Sequence, residues 1–319
     1  MLSENNVIIM NLIELAKEKI VIFDGAMATN ISRLLCRRNI PSERFCCSDV
    51  LNLYLPSIVL EVHREFIDAG CDVIETNTFN ANRISLSGFG AVEGVHEINR
   101  RGVEIAKEAR EGSDVLISGS VGPTPRCPSL FEISFEDLYD AYFEQIYELV
   151  VSGVDQIQIE TVRDLLQAKA AIIAANDVFS LIGRRLPLIV SATVDAHGGL
   201  HCGADMGTFL SFLLPLGVDV IGVNCSNGPR EIEEAVAYLS RHSPLPLLVM
   251  PNAGMPHILN GEPVYDVTPS EFGGILAHYV DQFGVEMVGG CCGTTPEHIR
   301  ALSDSISHLK PKRRVVEML

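Results

Sequence analysis

The stretch Val285-Glu286-Met287-Val288-Gly289-Gly290-Cys291-Cys292-Gly293-Thr294-Thr295-Pro296-Glu297-His298-Ile299-Arg300 holds one complete passage from strand to helix. Its first four residues are mostly apolar and read as the end of a strand. Glu297-His298-Ile299-Arg300 reads as a first helical turn. Between them two adjacent cysteines are fenced by glycines. Successive side chains on a strand point to opposite faces, so two of them converge only where the backbone bends sharply. Glycines on both sides permit that bend. Convergence of thiols points to a metal, because thiolates are soft ligands and zinc accepts several in a tetrahedral shell.

The same passage recurs along the chain. Short apolar runs at 20–23, 72–75, 115–118, 156–160, 188–193, 218–223, 247–250 and 286–289 alternate with segments of helical periodicity. Nearly continuous apolar strands, each followed by an amphipathic helix, describe a parallel sheet buried on both faces. Eight such units fit a single-domain α/β fold, the closed (β/α)8 TIM barrel. An open doubly wound sheet is the alternative and would need a nucleotide signature. None is found: there is no Walker loop, and Gly88-Phe89-Gly90 lacks the third glycine and the strand-to-helix setting. The spacing places a helical extension at 1–19, the barrel at 20–308 and a basic tail or linker at 309–319. A polar hairpin-like insert is expected at 195–205. Within it Asp195-Ala196-His197 reads as a turn, because Leu200 stands where a corrinoid-binding motif would have glycine.

In such a barrel the active site lies at the C-terminal ends of the strands. Those ends carry Asp24, Glu75-Thr76-Asn77, Ser120, Glu160-Thr161, Thr193, Asn224-Cys225-Ser226, Asn252 and Cys291-Cys292. Barrel closure would bring Cys225 to Cys291 and Cys292, giving three protein ligands and an open fourth position for zinc. The pair Cys46-Cys47 lacks a glycine frame and is read as structural, along with Cys36, Cys71, Cys127 and Cys202.

A net charge of −17 argues against a nucleic-acid partner, which requires clustered cations. Lys310-Pro311-Lys312-Arg313-Arg314 is too short to change that and reads as a solvated terminus. No apolar run approaches a membrane span, and the N-terminus, with Glu4 early and no basic leader, is not a secretion signal. An odd number of scattered cysteines, nine, suits a reducing compartment, so a cytoplasmic location is expected.

Taken together, Asp24-Gly25, Glu75-Thr76-Asn77-Thr78-Phe79, Gly122-Pro123-Thr124, Gly222-Val223-Asn224-Cys225-Ser226, Pro251-Asn252-Ala253-Gly254 and Gly290-Cys291-Cys292-Gly293-Thr294-Thr295-Pro296 resemble the homocysteine S-methyltransferase family. The resemblance spans roughly 20–305 and is strongest to the homocysteine-binding module of cobalamin-dependent methionine synthases. It implies that Cys225, Cys291 and Cys292 hold Zn2+ and that the metal activates the homocysteine thiol. Two positions depart from the pattern. Ala28 stands where the family usually has glycine, and Ser120 where methionine synthases usually have aspartate.

On this resemblance homocysteine needs partners for its ammonium and carboxylate groups. Asp24 and Glu160 are candidates for the ammonium, and backbone N–H groups after Asp24, including Gly25, or after Ser120 for the carboxylate. Thr76, Asn77, Asn224 and Asn252 are candidates for groups that orient the thiolates. Methylcobalamin on a separate corrinoid protein or domain is the expected donor. S-methylmethionine and betaine are alternatives, the latter disfavoured by the absence of tryptophan for an aromatic cage. A non-catalytic subunit that binds homocysteine or zinc is a reading of another class. A zinc hydrolase is weaker, because no histidine stands at a strand end.

Overall fold

The computed structural model of the chain describes residues 11–41, 45, 47–259 and 262–317. Eight strands form one parallel sheet: β1 (Val21–Ile22), β2 (Val73–Glu75), β3 (Leu116–Val121), β4 (Gln156–Val162), β5 (Leu188–Ala192), β6 (Val220–Cys225), β7 (Leu247–Pro251) and β10 (Met287–Val288). Their order is β1-β10-β7-β6-β5-β4-β3-β2. A bridge between Phe23 and Val73 joins the two ends, with Asp24 N–H donating to the Val73 carbonyl at 2.9 Å. The sheet therefore closes into the (β/α)8 barrel read from the sequence. Every residue of β3, β5 and β7 is buried, as strands covered on both faces require.

One principal helix follows each strand: α4 (Pro56–Asp68), α6 (Val95–Ala109), α7 (Phe135–Ser152), α8 (Leu165–Ile182), α9 (Met206–Leu213), α10 (Glu233–His242), α11 (Pro269–Phe283) and α12 (Pro296–Ile306). Their apolar faces and the outer faces of the strands make the larger core. α8 is long and apolar enough to cross a membrane by composition alone, yet its buried face, with Ala168, Ala171, Ile172 and Ala175, packs within the barrel core.

A second core fills the barrel interior with Val21, Phe23, Val73, Leu116, Ile189, Val220, Leu248, Met250 and Met287. Leu12 and Ala16 of α1 (Leu12–Glu18) join it, so this short helix plugs the barrel at the end opposite the strand C-termini. Asn11 caps α1, its side chain accepting from the Ile13 and Glu14 N–H groups at 3.0 and 3.1 Å.

Several local expectations change. Helices α2 (Met27–Arg37), α3 (Leu51–Tyr54) and α5 (Arg83–Gly88) occupy connections for which the sequence suggested no element. The 195–205 insert contains no strand pair: Asp195 accepts from the His197 and Gly199 N–H groups at 2.8 and 3.0 Å, which curls it into turns. A hairpin lies instead after β7, as β8 (His257–Leu259) and β9 (Glu262–Val264). The basic tail is not simply solvated. Arg314 is nearly buried, donates to the Ser243 carbonyl at 2.9 Å and pairs with the partly buried Glu286 at 3.4 Å. A buried carboxylate needs a cation, and the tail supplies it. Met1 to Met10 and Cys46 lie outside the described residues.

The seam between the two chain ends is held at Thr294. Its hydroxyl accepts from Ala26 N–H at 3.1 Å and donates to the Cys291 carbonyl at 2.7 Å. Asn30 donates to the Thr294 and Ala26 carbonyls at 2.9 and 2.7 Å. Thr294→Val keeps the shape and strands a buried donor and acceptor. It should lower unfolding stability by about 2 kcal/mol, read as a shift in the urea midpoint at constant slope.

Candidate active site

The three thiols converge at the open end of the barrel. The Sγ atoms of Cys225, Cys291 and Cys292 lie within 4.8 Å of one another. Main-chain bonds to the end of β7 bring them there. Asn252 N–H donates to the Cys225 carbonyl at 3.1 Å, Cys291 N–H to the Pro251 carbonyl at 2.9 Å, and Ala253 N–H to the Cys292 carbonyl at 2.9 Å. Cys225 and Ser226 adopt consecutive left-handed conformations, with φ of 58° and 64°. Such backbone is costly for residues with a Cβ and is found where function over-determines it.

The glycine frame works differently from a simple bend. Only Gly293 is left-handed, at φ 80°. Gly290 is required by closeness, since a Cβ there would lie 2.4 Å from the Thr294 hydroxyl oxygen. Gly293 lies flat against the ring of Tyr265, 2.2 Å from where its Cβ would be.

Hydrogen bonds from the Cys291 and Cys292 thiols, helped by the Asn252 side chain and Ser226 N–H, hold the Cys225 thiol far below the ordinary thiol range. Donation to Cys225 pushes Cys291 and Cys292 upward in turn. Three sulfurs so placed are the donor set a thiophilic cation takes up, leaving a further position open.

The thiols floor a cavity of about 290 Å3 whose walls include Gly25, Met27, Ala28, Thr29, Glu75, Thr76, Asn77, Phe79, Ser120, Glu160 and Thr161. Glu160 accepts from the Ser120 hydroxyl at 2.5 Å and from the Asn224 amide at 3.1 Å. It stands at a register break in β4 between Ile159 and Val162, where Thr161 is left-handed at φ 56°. Asn224 repairs that break. Its oxygen accepts from Thr161 N–H at 2.7 Å and its amide donates to the Thr161 hydroxyl at 2.8 Å. Asn224 therefore contacts the carboxylate side of the site, while Asn252 contacts the thiol side and donates to the Ser226 carbonyl at 2.5 Å. Thr76 accepts from Ser120 N–H at 3.1 Å. Asn77 donates to the Ser48 carbonyl and the Asn52 side chain, both at 2.9 Å, and fixes the outer wall.

Asp24, Glu75 and Glu160 lie close enough to repel one another. Burial pushes Glu160 up to about 7, with the Ser120 hydroxyl pulling back, and raises Asp24 and Glu75 well above the carboxylate range. Asp24 Oδ1 and Glu75 Oε1 are buried without a hydrogen-bond partner. Asp24 uses its other oxygen to accept from Glu75 N–H at 3.0 Å. Glu75 was legible as a strand-end carboxylate but carried no assigned role. The start of α2 was not foreseen at all. Its N-cap, Ala26, offers no side-chain cap, so the main chain of Met27 to Thr29 faces the cavity with its N-terminal N–H groups uncapped.

Comparison with known proteins agrees with this geometry. The homocysteine S-methyltransferase family profile matches residues 21–306. The methionine synthase of Mycobacterium tuberculosis is 34% identical over 311 residues, covering 96% of this chain and 26% of that protein. That of Mycobacterium leprae is 33% identical over 302 residues, covering 93% and 25%. The chain thus spans about a quarter of the length of these relatives. The metallated homocysteine methyltransferase MmuM of Escherichia coli superposes with a TM-score of 0.71 at 25% identity, covering 92% of this chain and 98% of that one. The chain belongs to the homocysteine S-methyltransferase family, a family of methyltransferases.

Proposed function

We propose that the chain methylates homocysteine to methionine, with Cys225, Cys291 and Cys292 holding a zinc ion. The observation that carries this is the convergence of three thiols beneath a cavity walled by Glu75, which keeps one buried oxygen without a partner, and by Glu160. Zinc among thiolates lowers the pKa of an added thiol while leaving its sulfur electron-rich. The rest of the chemistry belongs to the chain's own residues.

An amino acid brings an ammonium group and a carboxylate, and the cavity offers a complement to each. Glu75 and Glu160 on the cavity wall, with the buried Asp24 beside them, form a nest of carboxyl groups in which an ammonium would restore the charge that burial makes costly. Asn224 and Ser120 hold Glu160 at the position where it meets the ligand. The uncapped first turn of α2, Met27 to Thr29, with Gly25 before it, suits the carboxylate, since a helix N-terminus presents N–H groups and a positive dipole end. With both ends held, the thiol is directed toward the cysteine cluster. Its sulfur forms the new S–CH3 bond as the donor keeps the electron pair of the bond it loses.

Methylcobalamin on a separate corrinoid protein or domain is the donor we favour. Among the described residues lining the cavity only Phe79 is aromatic, which disfavours a caged quaternary ammonium such as betaine. The methionine synthases matched extend far beyond the region they share with this chain, room enough for other modules. A second reading, a free-standing enzyme using S-methylmethionine, draws support from the match to 98% of the E. coli homocysteine methyltransferase chain. We place the protein in the cytoplasm, where thiols stay reduced, and assign the barrel to 20–308, with the segments on either side of it, 1–19 and 309–319, as extensions.

Offering homocysteine with methylcobalamin, S-methylmethionine or betaine in separate reactions names the donor by methionine formed. Cys225→Ala, Cys291→Ala or Cys292→Ala should each reduce zinc affinity and turnover by more than about 100-fold. A variant retaining zinc at wild-type affinity removes that cysteine from the ligand set.

Glu75→Gln and Glu160→Gln should each raise the KM for homocysteine by about 10-fold or more, with a smaller change in kcat. An unchanged KM would take that carboxylate out of the ammonium site.

The raised Glu160 also predicts a pH dependence. Its folded value of about 7 exceeds the ordinary 4.5, so the folded chain binds more protons than the unfolded one between those values. Its stabilising contribution is present at low pH and is lost as pH rises through that window. Wild-type stability, measured by urea unfolding without metal or substrate, should fall relative to Glu160→Gln from about pH 4.5 to about 7. The buried histidines His63 and His298, which pull the opposite way, cancel in that comparison. A difference that grows in favour of the wild type would contradict the assignment.

A further inference from the structure

Cys127, Asp164 and Cys202 lie on three successive rim loops, after β3, β4 and β5, and take no part in the chemistry above. Their two Sγ atoms and a carboxylate oxygen lie within 4.8 Å of one another. Hydrogen bonds within and between these loops fix each residue. Asp164 is buried and caps α8, with Oδ1 accepting from Leu166 N–H at 2.9 Å and the Ser129 hydroxyl at 2.8 Å. Its Oδ2 accepts from Ser129 N–H at 2.9 Å. A carboxylate offers about four lone-pair directions, and the fourth faces the Cys202 thiol at 3.8 Å. Cys127 is buried, its N–H donating to Glu132 at 2.8 Å. Cys202 N–H donates to the Arg163 carbonyl at 3.2 Å, and its side chain stays partly open to solvent, which provides a way in.

We propose that these three residues bind a second thiophilic divalent cation of the zinc class, separate from the Cys225, Cys291 and Cys292 cluster. Two thiolates and one carboxylate suit zinc over magnesium or calcium, which take shells of oxygen. Each thiol releases its proton to solvent as the cation enters, and the cation occupies the place where the Cys202 proton faces Asp164. Water from the Cys202 side completes four ligands. The cation ties together three loops, and the middle one leads directly from Glu160 and Thr161.

The test is zinc bound per chain in the reduced full-length protein, titrated with buffered zinc and counted by elemental analysis. Cys127→Ser and Cys202→Ser should each lower the saturating count by about one, whatever the other cluster holds, with the circular dichroism spectrum unchanged. Cys225→Ser should leave this second equivalent in place. In the cobalt-loaded protein Cys202→Ser should remove part of the thiolate-to-cobalt absorption. Equal zinc in wild type and Cys202→Ser would overturn the proposal. So would peptide mapping that finds Cys127 and Cys202 joined in a disulfide in protein isolated without reductant, with no zinc lost on substitution.

Discussion

The mouth of the barrel hangs on three main-chain hydrogen bonds to one short strip, Pro251 to Ala253. Cys225 is held on one side of it, Cys291 and Cys292 on the other. Because these bonds are backbone to backbone, thiol spacing follows strand register and not the rotamers of long side chains. The register is itself paired residue by residue, with Cys225 opposite Pro251 and Val288 opposite Val249. A slip of one residue would turn every side chain to the other face. The barrel core therefore does more than stabilise: its close packing is what places three sulfurs together.

A second constraint is electrostatic. A chain of net charge −17 buries Asp24 and Glu160 beside the half-buried Glu75 and gathers three thiols at one mouth. Water cannot reach Asp24 Oδ1 or Glu75 Oε1, and burial raises both groups well above the ordinary carboxylate range. On the proposed chemistry such a site takes two cations, one at sulfur and another at carboxylate.

Much of this was legible before any coordinates. The eight apolar runs marked the strands to within three residues at either end, and the closed barrel followed from their number. The thiol cluster followed from strand ends. What escaped had physical causes. Helix α2 begins at Ala26, which gives no capping signal. Glu75 ends an apolar strand, a position where carboxylates commonly cap loops, and only the closed barrel shows it facing Asp24 and Glu160. Asn224 was expected to orient a thiolate, whereas it bonds to Glu160 and Thr161, because a β4 bulge invisible in the sequence leaves those groups short of ladder partners. Cys127 and Cys202 are distant in sequence and each reads alone as a small buried hydrophobe. Arg314 looked like tail charge until Glu286 proved to be buried beneath it.

The plug formed by α1 has a consequence for traffic. With Leu12 and Ala16 closing one end of the barrel, molecules reach the thiols from the rim alone. On the proposed chemistry, homocysteine and its methyl donor share that doorway. The amino acid seats at the floor, against the cysteines and the start of α2, and the donor comes to rest above it. Arrival is then ordered, amino acid before donor, and the methylated product leaves only after the donor has withdrawn. The packed interior of the barrel, with this helix of seven residues sealing its far end, would thus set the sequence of events at the near one.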